Sequence, residues 1–282
     1  MSEANLERWQ ARAGRPLIMG ILNATPDSFS DGGRFLDLER ALAQAARMAD
    51  EGADIIDIGG ESTRPGADPV PVAVQIERVV PIVRAIRGKL SPELAISIDT
   101  TWSAVAEAAL DAGADMINDV AAGRDDPGIL ALAARRNVPI ALMHMQGAPK
   151  TMQDNPGYGD VVAEVLGFLE TRIEAALTAG IPPDNIILDP GIGFGKRRED
   201  NLRLLAGLGR LVATGHTVLL GTSRKRFMGA ICGETRPDQL LGATVATTAW
   251  GVAQGVGIFR VHDVRENRQA ADVAAAILAA GI

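Results

Sequence analysis

One cysteine, one tyrosine and three histidines are a sparse supply of reactive side chains for 282 residues. With Cys232 alone, no intrachain disulfide can form. The residue is expected to be a small buried hydrophobe rather than a nucleophile. The histidines include no pair at ligand spacing, which argues against a zinc centre. No apolar run is long enough to span a bilayer, so no membrane partner is expected. The stretch Met1-Ser2-Glu3-Ala4-Asn5-Leu6-Glu7-Arg8 lacks the apolar segment of a secretory leader, and a cytoplasmic location is the expectation. No linker rich in Ser, Gly or Pro and no block of charge divides the chain, so residues 1–282 read as one domain. The net charge of -7 argues against nucleic acid as the main partner. It leaves room for an anionic small substrate, because a few Lys and Arg in a cleft outweigh the global average locally.

Aromatic residues make up only 4% of the chain while hydrophobic residues make up 47%. The core must therefore be built mostly from Ala, Val, Leu and Ile, as helix-coated parallel sheets require. Short apolar runs that end abruptly in polar residues supply the sheet. Ile186-Ile187-Leu188 ends in Asp189-Pro190-Gly191, and the same design recurs along the chain. Leu17 to Leu22 ends in Asn23, Asp54 to Ile58 in Gly59-Gly60-Glu61, and Leu94 to Ile98 in Asp99-Thr100. Asp115 to Ile117 ends in Asn118-Asp119, Val138 to Met143 in His144, Thr217 to Leu220 in Gly221-Thr222-Ser223, and Gly257 to Val261 in His262-Asp263. About eight strands at intervals of roughly 35 residues match a single (β/α)8 barrel of the TIM type.

Ala-rich segments lie between the runs, at about 37–51, 71–88, 102–112, 127–136, 159–179, 198–212, 224–231 with 237–254, and 264–280. Leu38, Ala41, Leu42, Ala45 and Met48 show their helical spacing. Gly52, Gly88, Gly113 and Gly180 supply the expected stops. The alternation forces parallel strands and right-handed crossovers. An open doubly wound sheet is the alternative, but it usually carries a glycine-rich dinucleotide turn after an early strand. Asn23-Ala24-Thr25-Pro26-Asp27 stands there instead.

Two connections exceed plain barrel turns, one from Ala24 to about Phe35 and one from Gly59 to about Val70. They follow the first and second strands on the rim where barrel active sites lie, and long loops there are usually lids. Phe29, a lone aromatic on the first, is poorly solvated and needs a surface to cover. Residues 146–158 form a third irregular loop.

Strand ends converge on one mouth, which collects Asn23, Asp57, Asp99, Asn118, Asp189, Ser223, Lys225, Arg260 and His262. Carboxylates so gathered repel unless cations intervene, and Lys225, Arg260 and His262 provide them. Asp57 and Asp119 could equally be holders of strand ends, whereas Asp99 and Asp189 together read as functional. Two carboxylates and an Asn suit a flat heterocycle bearing several N–H groups. Met143 and Phe194 offer it apolar faces. Ser223, Arg260, His262 and Asn23 suit a phosphate or diphosphate, and Ser223 with Lys225 opens a helix. Asn23 with substrate phosphates suits Mg2+. The run Gly191-Ile192-Gly193-Phe194-Gly195-Lys196-Arg197 mimics a phosphate loop but has neither its spacing nor its terminal hydroxyl. There is also no G-x-S-x-G nucleophile elbow.

At these residues the sequence closely resembles the dihydropteroate synthase family. The stretches are Met19 to Gly33 (MGILNATPDSFSDGG), Asp57 to Gly66 (DIGGESTRPG), Ser97 to Thr100 (SIDT), Ile117 to Val120 (INDV), Leu142 to Gly147 (LMHMQG), Leu188 to Lys196 (LDPGIGFGK), Gly221 to Phe227 (GTSRKRF) and Arg260 to Asp263 (RVHD). They run in order over nearly the whole chain, with Ala24 as a departure where the family usually has Val. The resemblance implies a Mg2+-dependent condensation of a dihydropterin carrying a methylene diphosphate with p-aminobenzoate, by dissociative substitution. It implies that Asp99, Asn118, Asp189 and Lys225 hold the pterin. Asn23, Thr63, Ser223, Arg260 and His262 would hold the diphosphate, with Asn23 also on the metal. Phe29, Thr63, Arg64, Pro65, Phe194, Ser223 and Lys225 would shape the p-aminobenzoate site. Asp31 from the first lid would join Asp99, Asp189 and Lys225 in catalysis. Competition by sulfonamides and a homodimer are also implied. Two alternatives are weighed: a pterin-binding corrinoid-linked methyltransferase domain, which needs no p-aminobenzoate pocket, and a non-catalytic paralogue, which should have lost polar mouth residues.

Overall fold

The apolar runs are short, rich in branched residues and separated by helical segments that must return the chain to the same edge, so they pair in parallel. The computed structural model describes residues 15–24, 33–61, 68–147, 151–152 and 154–281. Its strands are β1 (Leu17–Asn23), β2 (Ile55–Gly59), β3 (Ala95–Asp99), β4 (Met116–Asp119), β5 (Ile140–Met143), β6 (Ile186–Asp189), β7 (Thr217–Leu220) and β8 (Ile258–Val261). They form a closed barrel in sequence order, and β8 returns to pair with β1. The expected eight-stranded barrel is what the chain adopts.

Ten helices coat it among the described residues: α1 (Gly33–Asp50), α2 (Val72–Lys89), α3 (Ser103–Asp111), α4 (Gly128–Arg136), α5 (Val161–Thr178), α6 (Arg198–Ala206), α7 (Leu208–Val212), α8 (Arg226–Cys232), α9 (Leu241–Ala253) and α10 (Val264–Ala280). Local chemistry sets some starts. Asp160 accepts from the backbone N–H of Val162 and Ala163, both at 3.1 Å, satisfying two donors that α5 leaves open.

Two expectations need correction. The segment 198–212 is divided, because α6 ends at Gly207, where a Cβ would sit 3.0 Å from Val162 Cγ2 of α5. Cys232 is exposed rather than buried. It is the last residue of α8, and the chain turns outward at Gly233 with a φ of 70°.

Alternation along each strand divides the core in two. Residues such as Ile18, Ile56, Ile96 and Leu188 belong to the large cluster shared with the helices. The residues between them, including Met19, Ile55, Met116, Ile187, Leu219 and Ile258, form a separate cluster inside the barrel. Two residues further along each strand, the same inward face carries Asp57, Asn118, Asp189 and Arg260. The interior is therefore apolar at its base and polar at the rim where the strands end. The opposite rim is tied by Asp54, which accepts from Ile18 N–H at 2.9 Å and from Arg268 Nη1 at 3.2 Å.

Candidate active site

The strand register places the polar residues side by side. Asp99 is level with Asn118, and Met143 with Asp189. Arg260, from β8, reaches across and donates from Nε to Asp57 at 2.6 Å and from Nη2 to Asp99 at 2.7 Å. Asn118 Nδ2 donates to the same Asp57 oxygen at 3.1 Å. Four strands are joined in this way under the mouth. Asp57 is fully buried, and its other oxygen has no hydrogen-bond partner, nor has Ser97 Oγ on the neighbouring strand.

Charge in so dry a place is strongly perturbed. Burial pushes the Asp99 carboxyl up to about 7, against the pull of Arg260. Burial also raises Asp189, although it accepts from Gly191 N–H at 2.7 Å and feels Lys225. Burial alone would lower Arg260, but Asp57 and Asp99 outweigh it and hold the guanidinium charged.

Lys225 precedes α8 and points its ammonium at an aromatic face, with Nζ 3.9 Å from the centre of the Phe194 ring. Burial and then Arg260 bring Lys225 down to about 8, against the pull of Asp189 and Asp99. Phe194 packs on Val120, Met143, Met145 and Met152, so the apolar faces expected from Met143 and Phe194 are one surface. Met152 comes from the third irregular loop, whose Gln146 and Gly157 exchange two hydrogen bonds at 3.1 and 3.2 Å.

Ser223 and His262 stand together on the other side. Ser223 Oγ lies 3.0 Å from His262 Nδ1 and accepts from His262 N–H at 3.1 Å. Their loops are fastened by Arg224, which donates to both oxygens of Asp263 at 3.1 and 2.6 Å. Arg224 adopts a φ of 59°, a backbone turn that sets Ser223 and Lys225 on either side of it.

Asn23 ends β1 half-buried at the same rim. Among the described residues no group of three His, Cys, Asp or Glu could hold a metal by itself. A cation beside Asn23 would take most of its oxygens from phosphate and water, which is the habit of Mg2+.

The structure thus brings Asn23, Asp99, Asn118, Met143, Asp189, Phe194, Ser223, Lys225, Arg260 and His262 to one rim. Phe29, Asp31, Thr63, Arg64 and Pro65 lie outside the described residues. Asp57 proves to be part of the charge network. Asp119 is a holder: it accepts from the N–H groups of Ala121 and Gly123 at 2.8 and 2.5 Å and shapes the turn after β4. Sequence reasoning assigned nothing to Lys196 or His144. Lys196 is 3% exposed, and its Nζ lies 2.9 Å from His144 Nδ1. The run from Gly191 to Arg197 drew notice only as a false phosphate loop, and the fold reveals its Lys196 as buried.

The pterin binding enzyme family model matches residues 19–262. A dihydropteroate synthase of Synechocystis sp. is 48% identical over 263 residues, 93% of this chain and 90% of that one. The chain belongs to the dihydropteroate synthase family. Among solved structures, Xanthomonas albilineans dihydropteroate synthase with 4-aminobenzoic acid superposes with a TM-score of 0.88 at 47% identity, covering 95% of this chain and 94% of that one. The Yersinia pestis dihydropteroate synthase with a sulfonamide drug has a TM-score of 0.88 at 43% identity, covering 95% and 96%. Dihydropteroate synthases thus share both its barrel and its length. No helix among the described residues is long and apolar enough to cross a membrane.

Proposed function

We infer that the chain condenses a 7,8-dihydropterin bearing a 6-methylene diphosphate with p-aminobenzoate, giving 7,8-dihydropteroate and pyrophosphate. The observation that carries this reading is the division of one rim into two chemistries. Asp99, Asn118 and Asp189 present acceptors and an amide suited to a pterin edge. Ser223 and His262 face the opposite side, where a diphosphate would lie. The likeness to dihydropteroate synthases over nine-tenths of both chains favours this reading over a corrinoid-linked methyltransferase domain.

In this proposal the C–O bond to the diphosphate breaks first. The electron pair leaves with pyrophosphate, and a cationic methylene conjugated to the pterin remains. Ser223, His262 and the Arg260 guanidinium hold the departing anion, and Asn23 would offer an oxygen to Mg2+. When bound, Mg2+ would neutralise charge on the leaving group. Asp99 and Asp189 stabilise the cation through fixed negative charge in a dry site, and Asp31 is proposed to join them. The aniline nitrogen of p-aminobenzoate, already nucleophilic at neutral pH, attacks and then releases a proton. No covalent enzyme intermediate is needed. Phe194 and Lys225 form one wall of the p-aminobenzoate site, and Phe29, Thr63, Arg64, Pro65 and Ser223 are proposed for the rest. A homodimer, which rests on the family resemblance, and a single domain in the cytoplasm, which rests on the sequence features above, belong to the same proposal.

The test is to mix the protein with the pterin diphosphate, p-aminobenzoate and Mg2+ and follow both products. Dihydropteroate and pyrophosphate should appear in equal amounts. A chain that binds pterin but yields neither product would be the non-catalytic paralogue instead.

A further inference from the structure

Lys196 takes no part in the reaction just described, yet it is among the most buried charged groups in the chain. Neutral acceptors surround its Nζ: His144 Nδ1 at 2.9 Å, the Gly191 carbonyl at 2.9 Å, the Phe194 carbonyl at 3.0 Å and the His144 carbonyl at 3.3 Å. An ammonium has three donors, and three of these acceptors lie within good hydrogen-bond range. Two of the carbonyls belong to the loop after β6 and one to the end of β5, so Lys196 fastens the loop to the neighbouring strand. Burial brings the lysine down to about 7 and the imidazole beside it down to about 3, so His144 is a neutral acceptor.

The loop so fastened has little freedom. Gly191 and Gly195 have φ of +65° and +58°; a Cβ on Gly191 would lie 1.9 Å from the His144 carbonyl oxygen, and one on Gly195 2.3 Å from that of Gln146. Gly193 N–H donates to Asn201 at 2.6 Å, and the Tyr158 hydroxyl donates to the Gly195 carbonyl at 2.7 Å. The loop carries one large side chain towards the rim, Phe194. Its carbonyl is held by Lys196, while its ring covers Lys225.

We propose that Lys196 is a positioning residue for p-aminobenzoate, holding the Gly191–Phe194 backbone so that the Phe194 ring stays over Lys225. The proposal rests on the dihydropteroate synthase reading. Its effect falls mainly on p-aminobenzoate, although the Phe194 face and Lys225 also border the pterin. The pterin anchors Asp99, Asn118 and Asp189 are strand residues fixed by the barrel, whereas Phe194 is fixed by the loop.

The test uses the full chain with Lys196→Met, Phe194→Ala and the double variant, read by steady-state kinetics and by titration with 6-hydroxymethylpterin. Lys196→Met should raise KM for p-aminobenzoate about tenfold or more and keep pterin affinity within about threefold. The double variant should be no worse than Phe194→Ala, because residues acting through one another are not additive. His144→Asn keeps an acceptor facing Nζ and should stay near wild type. His144→Leu should follow Lys196→Met and serves in its place if that variant does not fold. An unchanged KM for p-aminobenzoate in both Lys196→Met and His144→Leu, or fully additive losses in the double variant, would overturn the proposal. A wild-type chain that makes no dihydropteroate is a different outcome, which sinks the functional reading and this proposal with it.

Discussion

The ammonium of Lys225 lies 3.9 Å from the centre of the Phe194 ring, in a site where burial brings that lysine down to about 8. An ordinary lysine titrates near 10.4, so this one loses its proton in the mildly alkaline range. If the protonated form binds pterin, kcat/KM should fall as pH rises through about 8. On the acid side, Asp99 is pushed up to about 7, and activity that needs its charge should rise through that pH. A narrow bell is expected. Lys225→Arg should move the alkaline limb beyond pH ~10, because guanidinium stays charged. A limb that stays in place would show that another group sets it.

Arg260 is shared by Asp57 and Asp99, and Asp57 is fully buried. Removing Asp57 leaves Arg260 paired with Asp99 alone and strips Arg260 Nε and Asn118 Nδ2 of their acceptor in a dry place. Asp57→Ala should therefore destabilise the protein by about 3 kcal/mol, measured by urea unfolding. It should also depress turnover strongly by freeing Arg260 from its position. A variant as stable as wild type would mean that the network is better solvated than the geometry implies.

Lys196 makes a separate prediction for stability against pH. Its folded value of about 7 lies below that of an unfolded lysine, so between pH 7 and about 10 the unfolded state binds more protons. Stability must then rise with pH in that window, by at most roughly 1.4 kcal/mol per pH unit for this one group. Lys196→Met removes the contribution. Chemical denaturation at pH 7 and pH 9 should show wild type gaining on the variant at the higher pH. A constant gap would mean that Lys196 keeps its proton when folded.

The architecture was legible because its signals are local. Each apolar run ends where Asn23, Asp99, Asn118 or Asp189 marks the surfacing of a strand, and a barrel sends all such ends to one rim. Ser223, Lys225, Arg260 and His262 were legible for the same reason. What escaped depends on contacts between distant segments. Gly207 divides α6 from α7 where Val162 of α5 comes close, and helical spacing passes straight through. The burial of Lys196 has no local signal and shows only where the carbonyls of His144, Gly191 and Phe194 converge on it. Asp57 and Asp119 have the same sequence signal, a carboxylate in or just after an apolar run. One faces Arg260 and the other turns to its own loop.

The loop glycines offer a graded comparison. Gly191 and Gly215 both have positive φ, +65° and +83°, but a Cβ on Gly215 meets nothing within 4 Å. Gly215→Ala should cost only backbone strain, roughly 1–2 kcal/mol, with normal kinetics. Gly191→Ala must push His144 away, so KM for p-aminobenzoate should rise and stability fall further. Equal effects of the two substitutions on KM would contradict the role given to this loop.

The central claim is that residues from position 23 to position 262 form one cup for pterin, diphosphate and p-aminobenzoate. The most direct measurement is a crystal structure of the protein with a non-hydrolysable pterin diphosphate analogue, Mg2+ and p-aminobenzoate. The account predicts the pterin edge on Asp99, Asn118 and Asp189, with the diphosphate beside Ser223 and His262. A pterin bound elsewhere, or one that leaves Asp189 and Lys225 untouched, would contradict it.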